Sequence, residues 1–440
     1  MPRPSSVLVL GAGYAGLTAA ALLAQEGVEV TVLEAHETLG GCASFYRKGR
    51  FTFDVGATTF SGVAPDRPAG RVFQHLGITP QLVKQDPGIL VRMPNGDLPR
   101  WADPEQWINE VSHRFGGDQR GFWTEQYALE RRVWELVGTA SQLPPSGVRD
   151  LLSLAHPRYW SALPLLPGLV RPVRTRMERW GTTDPMFRAF VDEQLLISTQ
   201  NTSERAPYLP AAMGLTYPSE TYYPMGGMVR PALDLMRHAQ GKGANFRFRR
   251  RVNSIAQLGN RWEVSTDNGE VHSADAIISS IPIWNMPSIT HGAVSTYFRS
   301  AAGRFDASWA AITVYLALDG TPALPSAYMQ VFLDEDVPYV HSRSLFCTVS
   351  LPTDTQKAPA GQCTVTISTH ARSEDWEGLT AHEAASRKQM VLDAIMGVLR
   401  RRVPELAQLP VLHAEAGTPS TWERYTLRHR GFVGGIPHDI

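Results

Sequence analysis

The sequence predicts an α/β chain in which a Rossmann-like dinucleotide-binding domain is interrupted by an inserted α+β domain. Three observations carry this. Residues 7–10 (VLVL) are an apolar, β-branched run that leads directly into the glycine-rich turn GAGYAG. A helix-forming stretch, LTAAALLAQEG, follows, and then a second apolar strand, VEVTVL, that ends beside Glu34. Far downstream, residues 274–278 (ADAII) supply another short apolar strand of the kind a parallel sheet buries on both faces.

Strand, GxGxxG, helix, strand and acid within about 30 residues form one functional unit. Gly11 permits the tight turn, Gly13 lets backbone approach a pyrophosphate, and Gly16 lets the helix pack closely on the sheet. The helix N-terminus, at Tyr14 and Ala15, offers unpaired N–H groups to phosphate. Glu34 is placed to accept ribose hydroxyls and to repel a 2′-phosphate.

Composition excludes several classes. The 440 residues carry 42 Lys+Arg against 42 Asp+Glu, so there is no basic surplus for nucleic acid. The three cysteines, Cys42, Cys347 and Cys363, lack CxxC spacing and read as free thiols in a reducing compartment. No zinc-ligand pattern occurs. The N-terminus lacks a secretory signal, and no apolar run reaches the roughly 18 residues of a spanning helix. These features predict a cytoplasmic protein.

The insert begins after Gly56. Residues 122–137 (FWTEQYALERRVWELV) have apolar residues at helical spacing, and their aromatics are expected in a core. Residues 151–176 mix Leu, Trp and Tyr with Arg158, Arg171, Arg174 and Arg176. This pattern suits an interfacial segment, with apolar side chains in the acyl boundary and arginines at headgroups; an ordinary helical hairpin is the plainer alternative. The chain returns to the nucleotide domain at YPMGGM (223–228), which opens a helix. Residues 246–252 (FRFRRRV) with Ile255, 262–266, and 270–271 read as strands around an Asp-Asn-Gly hairpin. Arg249, Arg250 and Arg251 are expected on the solvated face of a strand end. Residues 308–318 and 363–369 read as sheet strands that could wall a long apolar tunnel, and 384–402 as an amphipathic helix. His341 and His370 are lone and read as structural.

Several of these segments also resemble a known family. LEAHETLGG extends the nucleotide unit with a second glycine pair, Gly40 and Gly41, as in flavoproteins with two dinucleotide-binding domains. FTFDVGAT (51–58), YPMGGM, ADAII and the late segment TPSTWERYT…RGFVGGIP resemble the carotenoid desaturase and isomerase group, the phytoene-desaturase-like FAD-dependent oxidoreductases. The stretch GGCASFYRKGRFTFDVGAT is most similar to hydroxycarotenoid 3,4-desaturases and to cis–trans isomerases of the group. The resemblance implies FAD as cofactor, a carotenoid or other polyene lipid as substrate, and peripheral membrane contact. It implies a cofactor site built from Gly11, Gly13, Tyr14, Ala15, Gly16, Glu34, Ala35, Gly41, Cys42, Asp54, Gly56, Ala57, Thr58 and Val252, the last through backbone contact to adenine. No residue is assigned as catalytic, and no metal site is expected.

Two positions depart from the pattern. Cys42 stands where the family often has Arg or Lys, which removes a positive charge from the phosphate edge; the thiol reads as a small buried group rather than a reactive one. Asp54 is either a flavin-edge residue or a turn or capping residue. The family's closing strand, Gly-Asp pair and helix have no counterpart before Ile440. The expected order is a first FAD-binding part at 1–60, a helical substrate and membrane-contact region at 61–220, and a second FAD-binding part at 221–282. A second substrate portion at 283–415 and a truncated C-terminal FAD-binding part at 416–440 follow. The expected activity is carotenoid 3,4-desaturation. Phytoene desaturation and cis–trans isomerisation are the enzyme alternatives, and a truncated, inactive flavin- or lipid-binding protein is the alternative of another class.

Overall fold

Ser6–Leu10 is the centre of a four-stranded parallel sheet, in the order Ala276–Ser279, Ser6–Leu10, Glu29–Leu33, Asn245–Arg247. The structure is a computed structural model that describes residues 3–115, 119–139, 149, 152, 156–305 and 307–439. One face of this sheet, with Val7, Val9, Val30 and Val32, is buried under the helices Tyr14–Gln25 and Val229–Gly241. The other face, with Leu8, Leu10 and Leu33, packs on Val252, Ile255 and Val264 of a three-stranded antiparallel sheet. Burial on both faces is why these strands are continuously apolar.

The expected strand over 246–252 is corrected. Asn245–Arg247 closes the parallel sheet, whereas Val252–Leu258 belongs to the antiparallel one. Between them Arg249 takes φ +54°, which no strand accommodates. The three arginines are therefore not on a strand face. Arg249 pairs with Glu37, Arg250 pairs with Glu270, and the Arg250 N–H donates to the Glu34 carbonyl at 2.8 Å.

The second sheet has seven strands: Val411–Gly417, Ala310–Leu318, Cys363–Ala371, Ser344–Val349, Tyr328–Phe332, Ile89–Met93 and Gly96–Arg100. Ile89–Met93 runs parallel to Tyr328–Phe332, so chain from either side of the second nucleotide segment joins one sheet. Side chains alternate with period 2. Ile312, Val314, Leu316, Val365 and Ile367 face the helix Ala381–Arg402, which covers them with Val391, Ile395 and Val398. That helix starts with a capping box between Thr380 and Glu383. The opposite face carries Thr313, Tyr315, Tyr328, Thr348 and Thr366, all buried. The expected apolar tunnel wall is thus corrected: the apolar side of these strands is sealed by the helix, and the inner side is rich in hydroxyls.

A helical block covers the far end of this sheet. It comprises Pro104–Phe115, Arg120–Thr139, Pro185–Thr199 and Tyr208–Thr216. Phe122 and Trp123 are buried in its core with Trp107, Phe187 and Phe190, as their helical spacing predicts. Asp184 caps Pro185–Thr199 by accepting from the Phe187 N–H at 2.7 Å. Among the described residues no helix is long and apolar enough to cross a membrane.

Candidate cofactor site

Gly11 ends its strand at φ +97°, and its N–H donates to the Leu33 carbonyl at 2.8 Å. A side chain on Gly16 would begin 2.0 Å from the Gly11 carbonyl oxygen, so only glycine lets the helix sit this close. Gly13, at the N-cap, is different: a methyl there would meet nothing within 4 Å. Space is open in front of it, and no side chain caps the helix. The N–H groups of the first turn, at Tyr14 and the exposed Ala15, are left for an outside acceptor.

Glu34 is held by backbone. One carboxylate oxygen accepts from the Ala12 N–H at 2.6 Å, the other from the His36 N–H at 2.8 Å. Each oxygen keeps a lone pair for a further donor. Glu34, Ala35 and Gly41 line a cleft of about 810 Å³, which continues past Tyr46, Tyr315 and Trp422. The second glycine pair is clamped onto the first loop. The Gly40 N–H donates to the Ala12 carbonyl at 2.8 Å, and Gly40 and Gly41 take φ +105° and +58°.

The segment 54–58 lies against the hydroxyl face of the second sheet, and the hydroxyls explain its path. Thr366 donates to the Asp54 carbonyl (3.3 Å), Tyr315 to the Val55 carbonyl (2.5 Å) and Tyr328 to the Thr58 carbonyl (2.8 Å). The Thr348 hydroxyl bonds that of Thr58 at 2.8 Å. Gly56 faces Trp422, whose ring would lie 2.6 Å from an added Cβ. The Ala57 N–H donates to the Cys42 carbonyl at 3.2 Å. Asp54 is no solvent-facing turn residue: it is buried and ion-paired with Lys357. Val252 is buried in the cluster that contains Leu33, and it does not line the cleft.

Cys42 is half-buried, and burial pushes its thiol above the usual range, against the opposing pull of the Arg428 guanidinium. The raised value favours the protonated thiol. The positive charge that Cys42 forgoes is brought back beside it by Arg428, which sequence reasoning missed. Burial lowers the His370 imidazole to about 4, so it is neutral and structural.

Residues 9–76 match the NAD(P)-binding Rossmann-like domain, and residues 172–433 match the flavin containing amine oxidoreductase model. The chain belongs to the flavin containing amine oxidoreductase family. Relatives that match nearly the whole chain include members of the carotenoid desaturase and isomerase group. A chloroplastic prolycopene isomerase of Daucus carota is 24% identical over 99% of this chain and 72% of its own length. A phytoene desaturase of Neurospora crassa is 23% identical over 100% and 77%. A 1-hydroxycarotenoid 3,4-desaturase of a Flavobacterium is 23% identical over 63% and 56%. An oxidoreductase from Methanosarcina mazei has the same fold, with TM-score 0.64 and 16% identity over 94% of this chain and 88% of that one. So has the cyclohexylamine oxidase from Brevibacterium oxydans, with TM-score 0.58 and 14% identity over 99% and 90%.

The cofactor of this flavoprotein is FAD, and the residues present fit it. The uncapped helix with open space at Gly13 suits the pyrophosphate, and Glu34 retains acceptor capacity for ribose. The cleft volume falls within the roughly 300–1,000 Å³ of ligand pockets. Tyr315, Tyr328, Thr348, Thr366 and Lys357 also shape the flavoprotein's site without forming a local motif. The one signal for them was the alternation in CTVTIST, which puts Thr364 and Thr366 on the face opposite Val365 and Ile367.

Proposed function

We propose that this flavoprotein desaturates a carotenoid, introducing a C-3,4 double bond into a hydroxylated polyene. The observation that supports the reading is the aromatic stretch of the cleft wall at Tyr46 and Tyr315, backed by the buried ring of Phe53. Tyr46 stacks on Phe53 with ring centroids 5.0 Å apart, and meets Tyr315 edge-on at 4.9 Å. Burial pushes both phenols far above their ordinary value, so they stay neutral. Such a surface suits a conjugated hydrocarbon. Bound in this cleft, FAD would supply the two-electron acceptor for the hydride on the saturated carbon beside the polyene. The proton on the neighbouring carbon is lost to solvent, and the two electrons of that C–H bond become the new double bond. Conjugation stabilises the developing positive charge. The protein's work is to align the C–H bond and exclude water, through Tyr46, Tyr315 and the docked segment 54–58.

The match to prolycopene isomerase over 99% of the chain favours cis–trans isomerisation as the second reading. Pigment analysis separates the two. In cells that accumulate a hydroxylated carotenoid, desaturation gives a product with one more conjugated double bond and two fewer hydrogens. Isomerisation changes geometry at constant mass. Unchanged pigment in cells where the purified protein carries FAD would sink both and leave a binding protein.

The localisation we propose is cytoplasmic, at a membrane surface. In the 3₁₀ segment Pro157–Leu169, Trp160 is 60% exposed, Leu163 56% and Leu166 54%, and Val170 is exposed just beyond it. Residues 151 and 153–155 of the expected interfacial stretch lie outside the described residues. Arg171 is exposed beside the apolar patch. Arg174 and Arg176 are not held for headgroups, since they pair with Glu178, Glu204 and Glu125. Replacing Trp160, Leu163 and Leu166 together by serine removes three insertions worth about 1.5 kcal/mol or more each. Sedimentation with anionic vesicles is expected to fall at least ~10-fold. Unchanged binding would rule this face out.

A further inference from the structure

Lys357 lies in the loop between Ser344–Val349 and Cys363–Ala371, 303 residues from Asp54 and remote from every glycine motif. Its side chain is 2% exposed, and Nζ donates to Asp54 Oδ2 at 2.7 Å; the Asp54 side chain is 3% exposed. The other carboxylate oxygen, Oδ1, accepts from the Met228 N–H at 2.8 Å. The Met228 carbonyl in turn accepts from the Tyr14 hydroxyl at 2.5 Å. Gly227 takes φ +86°, and a Cβ on it would lie 2.4 Å from Asp54 Oδ1, so the carboxylate presses against the glycine turn itself.

The same loop grips the turn from its other side. Asp354 Oδ2 accepts from the Tyr223 hydroxyl and from the Gly226 N–H, each at 2.8 Å. The Lys357 carbonyl accepts from the Thr52 N–H at 2.9 Å, which fixes the strand that carries Asp54. A chain of hydrogen bonds therefore runs from Lys357 through Asp54 and Met228 to Tyr14, the first residue of the phosphate-facing helix. Among the described residues Asp54 makes no other ion pair. The phenols of Tyr14, Tyr223, Tyr315 and Tyr328 also face Asp54, and burial keeps all four neutral. Asp354, 2% exposed, is a second buried carboxylate at this turn, and among the described residues Lys357 is the cation that pairs with Asp54. A buried carboxylate stripped of its cation cannot stay both charged and in place.

We propose that Lys357 is a positioning residue for FAD. It holds the Asp54 carboxylate against the Gly226–Met228 turn, and so sets Tyr14 and the segment 54–58 in the arrangement that receives the cofactor. The proposal rests on the FAD reading of the cleft. A simple stabilising ion pair would change the melting temperature without changing how FAD is held.

The test uses the full chain with Lys357→Met, Asp54→Asn and the double variant, titrated with FAD by flavin fluorescence and absorbance. Lys357→Met is expected to weaken FAD binding by about tenfold or more and to shift the flavin absorption bands. The double variant removes both charges and keeps an oxygen to accept from Met228. It is expected to recover to within about threefold of wild type. If Lys357→Met does not fold, the double variant carries the test against Asp54→Asn, which leaves the lysine unpaired and is expected to bind FAD more weakly than the double. Variants that bind FAD with wild-type affinity and spectrum overturn the proposal, as does a double variant no better than the singles. A wild-type chain that takes up no FAD overturns the cofactor reading beneath it, a separate and recognisable result.

Discussion

Gly13→Ala is expected to fold as well as the wild type and to lose its flavin. Gly13 sits at φ −75° and ψ 175°, extended backbone that alanine adopts freely, and nothing lies within 4 Å of the added methyl. The exchange at an N-cap costs only about 1 kcal/mol or less. The methyl instead fills the space in front of the uncapped N–H groups, where a pyrophosphate must approach closely. FAD affinity is expected to fall roughly 100-fold, the factor set by about 2.7 kcal/mol. Gly16→Ala is the contrasting variant. Its methyl would begin 2.0 Å from the Gly11 carbonyl, so the helix must move off the sheet. Overpacking of this kind costs about 1–3 kcal/mol or more, and both stability and flavin should go. Melting curves of the apoproteins, paired with flavin titration, separate the two. Gly13→Ala protein that purifies with a full complement of FAD would remove the phosphate from this loop.

Glu193→Ala is expected to destabilise the chain by about 2–4 kcal/mol without touching the cofactor cleft. Glu193 is 5% exposed on the helix Pro185–Thr199. Its carboxylate accepts from the Ser342 hydroxyl (2.7 Å), the Ser344 hydroxyl (2.6 Å) and the Arg343 N–H (2.9 Å). Gln330, whose side chain also bonds the Ser344 hydroxyl at 3.0 Å, joins the network to the helix through Gln194. Truncation leaves the buried Ser344 hydroxyl and the part-buried Arg343 N–H without this acceptor and opens a void, while the Ser342 hydroxyl can still donate to the Ser344 carbonyl at 2.8 Å. Glu193→Gln keeps the volume and one acceptor, and is expected to recover part of the loss. Denaturant unfolding of the FAD-loaded protein measures both. A loss under about 1 kcal/mol for the alanine variant would mean that water satisfies the donors and that the network does not hold the helical block to the sheet.

Neither Glu193 nor Lys357 carried a signal in the sequence. A Glu in a helix and a Lys in a loop are ordinary surface residues until the fold encloses them, and their partners lie about 150 and 303 residues away. Cys42 is similar. The family resemblance implied a missing charge there, and Arg428 brings a guanidinium beside Cys42 from the other end of the chain. The break in FRFRRRV was invisible for another reason. Arg249 adopts a left-handed conformation because the preceding strand pairs with Glu29–Leu33 and the next belongs to a different sheet, and residue preference says nothing of that.

What the sequence determined by itself is the nucleotide unit and its acid. Strand, glycine turn, helix, strand and Glu34 are neighbours along the chain, so their contacts are local; Gly11 and Gly16 answer local backbone and steric demands, and Gly13 leaves open space in front of the helix. The tertiary structure alone decided how the cleft is completed. The hydroxyl rail under the segment 54–58, the Asp54–Lys357 pair and the sheet shared by residues 89–100 and 310–417 join segments hundreds of residues apart. The physical reason is burial. A threonine, lysine or glutamate becomes part of a site only when packing removes water and leaves a distant partner to satisfy it.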